Sequence, residues 1–250
     1  MKKNIGKNLI LAIVCSTAIM AVVVGGFLVI ENHIIKRVCE MFGGHLPFGF
    51  IQYVTYIAFF WAMFEVRDRL SHIKHEEQGL RMKLLPEQEQ WVITPNDVND
   101  LKLRMIDLAK QHNYQVIDVI KKASTKFRSN RSVAEVMDVV SNQVKLYTAK
   151  AESRQSNIRY LAWLIPSLGF IGTVVGIAAS LGLADKAQDP EVMSQITNAM
   201  EVAFDTTLVS LLLSIPVMWY YHHLQEKEET FYINMEEYVM ENFVNRINLE

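Results

Sequence analysis

Only two cysteines occur in the 250 residues. Cys15 falls inside an uncharged run and Cys39 in the loop beyond it, so the close Cα approach of a disulfide is not expected between them. The chain has no glycine-rich loop with a lysine to cradle phosphates, no Cys-x-x-Cys pair and no nucleophile elbow. His33, His45, His72, His75 and His112 are scattered. His222 and His223 are adjacent, so on a helix they diverge by about 100° and make no metal site alone. No basic patch with interleaved aromatics offers a nucleic-acid surface, and a net charge of −2 selects no partner. Because no acid, base and nucleophile converge, neither an enzyme nor a cofactor is expected.

Charge is missing from long stretches. Residues 9–30, 46–64 and 160–184 have none, and 202–221 has only Asp205. About 20 apolar residues suffice to cross a bilayer as a helix, and backbone groups in lipid must bond internally. Four transmembrane helices are therefore expected. The basic start at Lys2, Lys3 and Lys7 resembles a signal peptide, but the first run exceeds the roughly 7 to 15 residues of a signal core, so it reads as an uncleaved span. With the N-terminus inside, segments 1–8, 65–159 and 222–250 hold 22 of the 25 Lys and Arg. Both termini are thus expected in the cytoplasm, with Tyr53, Trp61, Tyr160, Trp163, Trp219 and Tyr220 as interfacial aromatics.

The expected organisation is a first transmembrane hairpin over 1–66, a cytoplasmic helical insert over 67–157, a second hairpin over 158–222 and a helical tail over 223–250. Gly43, Gly44 and Pro47 turn the first hairpin, and 185–190 turn the second. In the insert, Pro86 and Pro95 are breaks and Asn96, followed by Asp97, is a helix start. An amphipathic run from Leu101 continues through Val116, Ile117 and Ile120. Residues 124–130 read as a polar, basic link. Beyond it neither Pro nor Gly occurs until Pro166, which predicts one long helix into the third span. After Pro216 neither recurs, so the fourth span extends into a tail striped by Phe231, Met235, Tyr238, Val239, Phe243 and Ile247. These stripes read first as packing surfaces.

Two spans carry the informative residues. In the third, Gly169, Gly172, Thr173, Gly176 and Ser180 share a face, and Gly172 and Gly176 form a small-xxx-small pair that lets helices approach closely. In the fourth, at about 100° per residue, Thr206, Ser210, Ala203, Ser214 and Thr207 form one stripe, with Asp205 and Glu201 roughly opposite. One hydroxyl bonded to its own helix means little. Several facing another hydroxyl suggest a polar path that replaces part of an ion's hydration shell. Hydroxyl groups do not themselves ionise, so a titratable group comes from Asp205 or from a partner. Asp205, an intramembrane carboxylate, is open to two readings, ion handling or structural pairing.

P-S-L-G-F-I-G-T-V-V-G-I at 166–177 is similar to the P-x-L-G-x-x-G-T-V-x-G signature of the MotA/TolQ/ExbB proton-channel family. A-F-D-T-T-L-V-S-L-L-L-S-I-P at 203–216 resembles that family's pattern of Ala, Thr three residues on, and a closing Ile-Pro. The likeness covers about residues 160–222, and the first 150 residues match by layout only. Ser210 stands where Gly is usual, and Glu201 is one position from where many transport members carry Glu. The resemblance implies an all-α integral membrane subunit forming a ring of five copies in a bacterial inner membrane. The ring surrounds a dimer of single-span MotB/TolR/ExbD-like chains, each with an essential Asp. It further implies that Thr173, with Thr206 or Thr207, lines the path of H+ or Na+, and that ion flow drives rotation for work in the envelope. Ser210, Ser214 and Asp205 complete the candidate pathway, and Gly169, Gly172, Gly176, Pro166 and Pro216 the packing set. The competing reading is a structural or signalling scaffold that binds partners through its cytoplasmic helices.

Overall fold

The computed structural model describes residues 2–44, 49–88 and 90–248, with side chains from Gly6 onward. Every regular element among the described residues is helical. These are α1 (Lys2–Val29), α2 (His33–Cys39), a π-helical turn (Glu40–Gly44), α3 (Phe50–Arg81), α4 (Pro95–Gln111), α5 (Gln115–Asn130), α6 (Val133–Leu181) and α7 (Pro190–Asn242), with 3-10 turns at Ala184–Lys186 and Val244–Arg246. The chain divides into two compact units, residues 1–67 with 156–222, and residues 68–155 with 223–250.

In the first unit the polarity of a water-soluble protein is reversed. Phe170, Ile171, Val174, Phe204, Leu211, Leu212 and Ile215 are exposed, while Asn8, Ser16, Gln52, Thr55, Glu65, Ser180, Thr206 and Ser210 are buried. Burying polar groups while exposing apolar ones is favourable where the surroundings, lipid or another protein, are themselves apolar. α1 buries a narrow seam, Asn8, Ala12 and Ser16, at four-residue spacing, and leaves Ile10, Val14, Val22 and Leu28 exposed. At its start Asn8 donates to Glu65 Oε1 at 3.3 Å. Ala58 and Ala62 of α3 pack against Leu161, Ala162 and Ile165 of α6 and Val217 of α7.

Among the described residues, three helical segments suit a bilayer crossing by length and composition, Gly6–Val29, Val133–Leu181 and Pro190–Arg246. α3, which carries the expected second span, is not among them. Its apolar part contains Gln52, Tyr53, Thr55 and Tyr56 and runs into Glu65 and Arg67. Residues 46–48 of that run, including the expected turn residue Pro47, lie outside the described residues, as do His45 and the side chains of Lys2 and Lys3. Gly43 does turn the chain, with φ of 99°. Tyr160, Trp163 and Trp219 are exposed as interfacial aromatics would be. Trp61 instead packs on the Ala58–Ala62 cluster, and Tyr53 shares a 3.0 Å hydrogen bond with Thr17.

The second unit buries apolar groups in the ordinary way. Val116, Ile117, Val119, Ile120, Ala123 and Phe127 of α5 lie inside with Val136, Val140 and Val144 of α6 and Phe231, Met235 and Val239 of α7. Three expectations are corrected here. α4 is capped by Thr94, not Asn96. Thr94 and Asp97 form a capping box with Pro95 at the first helical turn, where its missing N–H costs nothing. The run from Leu101 to Ile120 is two helices, because the backbone is extended at His112 and Tyr114. Residues 124–130 are the last two turns of α5, not a link. Ser124 and Phe127 are buried, Ser124 returns its hydroxyl to Ile120 O at 2.8 Å, and the helix ends at Arg131 in a left-handed conformation. From Val133, α6 is unbroken to Leu181 and passes through Pro166, and α7 passes through Pro216. α7 begins at Pro190, a full three turns before the apolar run at 202.

Candidate ion-pathway site

The glycines of α6 set how closely α7 approaches. A Cβ on Gly169 would strike the Ser210 side chain, and one on Gly172 would strike Thr206. A Cβ on Gly176 would lie 2.6 Å from Ala199 O and 2.7 Å from Ala203 Cβ. The glycine face of α6 and the small-residue face of α7 are therefore two halves of one contact, in which each missing side chain admits a hydroxyl or methyl from across. Ser180 closes the same seam by donating to Ile196 O at 2.9 Å.

Within this seam the candidate hydroxyls fall into two groups. Thr206 and Ser210 are 2% and 1% exposed, and both point their protons at their own helix. Thr206 Oγ1 lies 3.0 Å from both Val202 O and Ala203 O, and Ser210 bonds to Thr206 O. Thr173 and Thr207 are only half-buried. Their hydroxyls hydrogen-bond each other, and each also reaches two carbonyls. Thr173 Oγ1 lies 3.3 Å from Gly169 O and 3.2 Å from Ala203 O, and Thr207 Oγ1 lies 3.1 Å from both. Two hydroxyls thus face two carbonyls in a crossed square spanning both helices. The absence of a side chain at Gly169 opens its carbonyl to Thr207. Such a cluster of four oxygens can hand a hydrogen bond from one helix to the other by hydroxyl rotation, or present oxygen ligands to a cation. Ser214, half-buried, donates to Leu211 O at 2.8 Å two residues before Pro216.

Residues 112–237, half of the chain, match the family model described as the MotA/TolQ/ExbB proton channel family. The chain belongs to the MotA/TolQ/ExbB proton channel family. No curated protein and no solved structure matches it. The family match is wider than the two motifs, since it begins at residue 112 and takes in α5 and the whole of α6. Residues 112–150 therefore match by more than layout. Proteins of this family are membrane proteins associated with proton channels rather than with enzymatic chemistry, and members generally oligomerise and work with single-span partners.

In this MotA/TolQ/ExbB chain Asp205 turns away from the hydroxyls and is held by charge. Arg37 of α2 grips both of its oxygens, Nη1 to Oδ2 at 2.7 Å and Nη2 to Oδ1 at 3.1 Å. Glu201 and Glu40 lie 3.8 and 3.9 Å from the same guanidinium. The hydrogen bonds to Asp205 push the Arg37 pKa further above its ordinary value. A bidentate pair fixes direction as well as distance, so it ties the short helix α2 to one rotational setting of α7. The partner Arg37 was hidden in the sequence because 168 positions separate it from Asp205. Glu65 was also hidden. It follows the second run directly, yet it is turned inward toward Asn8 of α1.

Proposed function

We propose that this chain is the ring-forming channel subunit of a motor driven by a proton or sodium gradient. Its four helices cross a bacterial inner membrane, with α3 as the second span, and both termini lie in the cytoplasm. Five copies surround a dimer of single-span MotB/TolR/ExbD-like chains, and ion flow past a partner Asp turns the ring for envelope work. The observation that carries this reading is the crossed square of Thr173, Thr207 and the Gly169 and Ala203 carbonyls. Its two hydroxyls are half-buried, hydrogen-bond each other across α6 and α7, and lie within the residues that match the family model. Thr206 and Ser210 then serve as contact groups that hold α6 and α7 in register. Asp205 serves as an anchor for α2 rather than as the carrier. α3 supports its role as a span by packing on both channel helices.

The test is ion uptake by liposomes containing the protein and its co-purified single-span partner. Thr173→Val and Thr207→Val keep the shape and remove the hydroxyl. Each is expected to cut gradient-driven uptake at least tenfold while leaving the purified oligomer intact. Normal uptake in both variants would reject this pathway, and absence of uptake by the wild-type complex would leave the scaffold reading in its place.

A further inference from the structure

The second unit contains a polar cavity that the ion-pathway reading does not use. It measures about 360 Å³ and lies where the end of α4 and the start of α5 face α3 and α6. That volume falls within the range of small-molecule sites.

The charges around it do not cancel. Its two carboxylates are already occupied. Glu76, buried, accepts the backbone N–H of Gln115 at 2.8 Å and has His72 at 4.0 Å. Asp118 takes Lys122 at 2.7 Å, Lys121 at 3.1 Å and the Tyr147 hydroxyl at 2.7 Å. These partners hold the Asp118 pKa below its usual value despite burial. Lys150 and Arg154, one turn apart on α6, line the same cavity without a carboxylate within 4 Å among the described residues. Lys150 sits 5.6 Å over the Tyr147 ring, and the more distant charge of Arg154 reaches Glu228. The wall also has flat surfaces and an unanswered acceptor. His112 stacks on Tyr114 with ring centroids 5.5 Å apart, and Gln115 Oε1 is buried without a hydrogen-bond partner among the described residues.

We propose that this cavity binds a small phosphate-bearing molecule of nucleotide size, with its anionic end on Lys150 and Arg154. A phosphate suits the pair because arginine offers a planar fork and lysine a mobile point charge, each forming charge-assisted hydrogen bonds to phosphate oxygens. The ligand's other end lies against the tyrosine and histidine rings, where an N–H or O–H would satisfy Gln115. The ligand would join α3, α5 and α6 of the second unit and so tune its rigidity. The cavity shares no residue with the ion pathway, so binding there does not depend on ion conduction.

The experiment is calorimetric titration of the full-length protein in lipid nanodiscs, with any co-purified partner retained, using ATP and separately inorganic pyrophosphate. Saturable binding of at least one probe with a sub-millimolar Kd is expected. It should weaken tenfold or more in Lys150→Ala/Arg154→Ala and change less than twofold in Lys145→Ala, which removes a charge from an exposed site on α6 outside the cavity. Should Arg154→Ala unfold the unit, Lys150→Glu at an exposed position carries the test and should cost at least fivefold. No saturable binding of either probe would overturn the proposal. So would binding that survives the cavity variants or falls equally in Lys145→Ala.

Discussion

The two units of this chain solve the same packing problem against different solvents. The second unit hides Phe127, Ile120 and Met235 and shows its charges. The first shows Phe170, Phe204 and Ile215 and hides Thr206, Ser210 and Glu65. In the second unit water drives association, because buried apolar area is favourable at roughly 25 cal/mol per Å². In lipid that drive between helices is absent, so close approach, hydroxyl-to-carbonyl bonds and ion pairs must hold the helices instead. α6 and α7 each contribute residues to both units, so a single helix changes from one rule to the other along its length.

Two phenylalanines test this contrast most directly. Phe127 is 1% exposed and Phe170 is 68% exposed. Phe127→Ala should destabilise the second unit by about 3–5 kcal/mol through lost burial and a cavity. Phe170→Ala should change stability by no more than about 0.5 kcal/mol in detergent. Denaturant unfolding in detergent, followed by circular dichroism, measures both. A comparable loss at Phe170 would mean that the exposed face is not solvent-facing in the purified particle.

Much of the contrast was already legible in the sequence, and for a physical reason. Runs such as 160–184 must be long and uncharged to satisfy a bilayer, and the P-x-L-G-x-x-G-T-V-x-G spacing records one helix approaching another. The stripe of Thr206, Ser210 and Thr207 was also readable, because a helix rotates by a fixed angle per residue. Its division was not. Whether a hydroxyl at 206 or 207 is the half-buried one depends on which α6 glycine faces it, and that is a tertiary fact. The break at His112–Tyr114 leaves no mark in the sequence, because the apolar period runs across it without a glycine or proline. Thr94 is not legible as the cap while Pro95 is taken as a break, because the helix start then falls after the proline, at Asn96, whereas proline is well tolerated in a first helical turn.

A glycine pair sharpens the comparison within the membrane unit. At Gly172 a Cβ would strike Thr206, whereas at Gly25 of α1 it would meet nothing within 4 Å. Gly→Ala in a helix gains up to about 1 kcal/mol from propensity. Gly25→Ala is therefore expected to be neutral or slightly stabilising. Gly172→Ala should cost about 1–3 kcal/mol, because the overpacked contact outweighs that gain. Thermal unfolding in detergent distinguishes them. Equal behaviour would show that the α6–α7 seam has room to spare and that glycine is not what sets the approach.

The smallest expected effect comes from a place where the second unit departs from its own rule. Glu228 of α7 is a buried carboxylate hydrogen-bonded to Gln155, and burial raises its pKa despite the nearby charges of Arg69, His72 and Arg154. A raised carboxylate pKa means that the folded state holds its proton to higher pH than the unfolded state. Stability is then lost as pH rises from the unfolded pKa, about 4.3, through the folded one, because the native state binds more protons across that window. Asp118, whose pKa is lowered, acts in the opposite sense, and its contribution is lost as pH falls below the usual aspartate range. Glu228→Gln keeps a hydrogen-bonding group in place and removes the charge. It should raise stability near pH 7 and flatten the decline between the two Glu228 values, leaving the acid limb governed by Asp118 untouched. Unfolding midpoints of wild type and variant across pH 4 to 8 give the comparison. A variant that is less stable at pH 7 would show that the ionised carboxylate is held by Arg69 and Arg154 strongly enough to outweigh its burial.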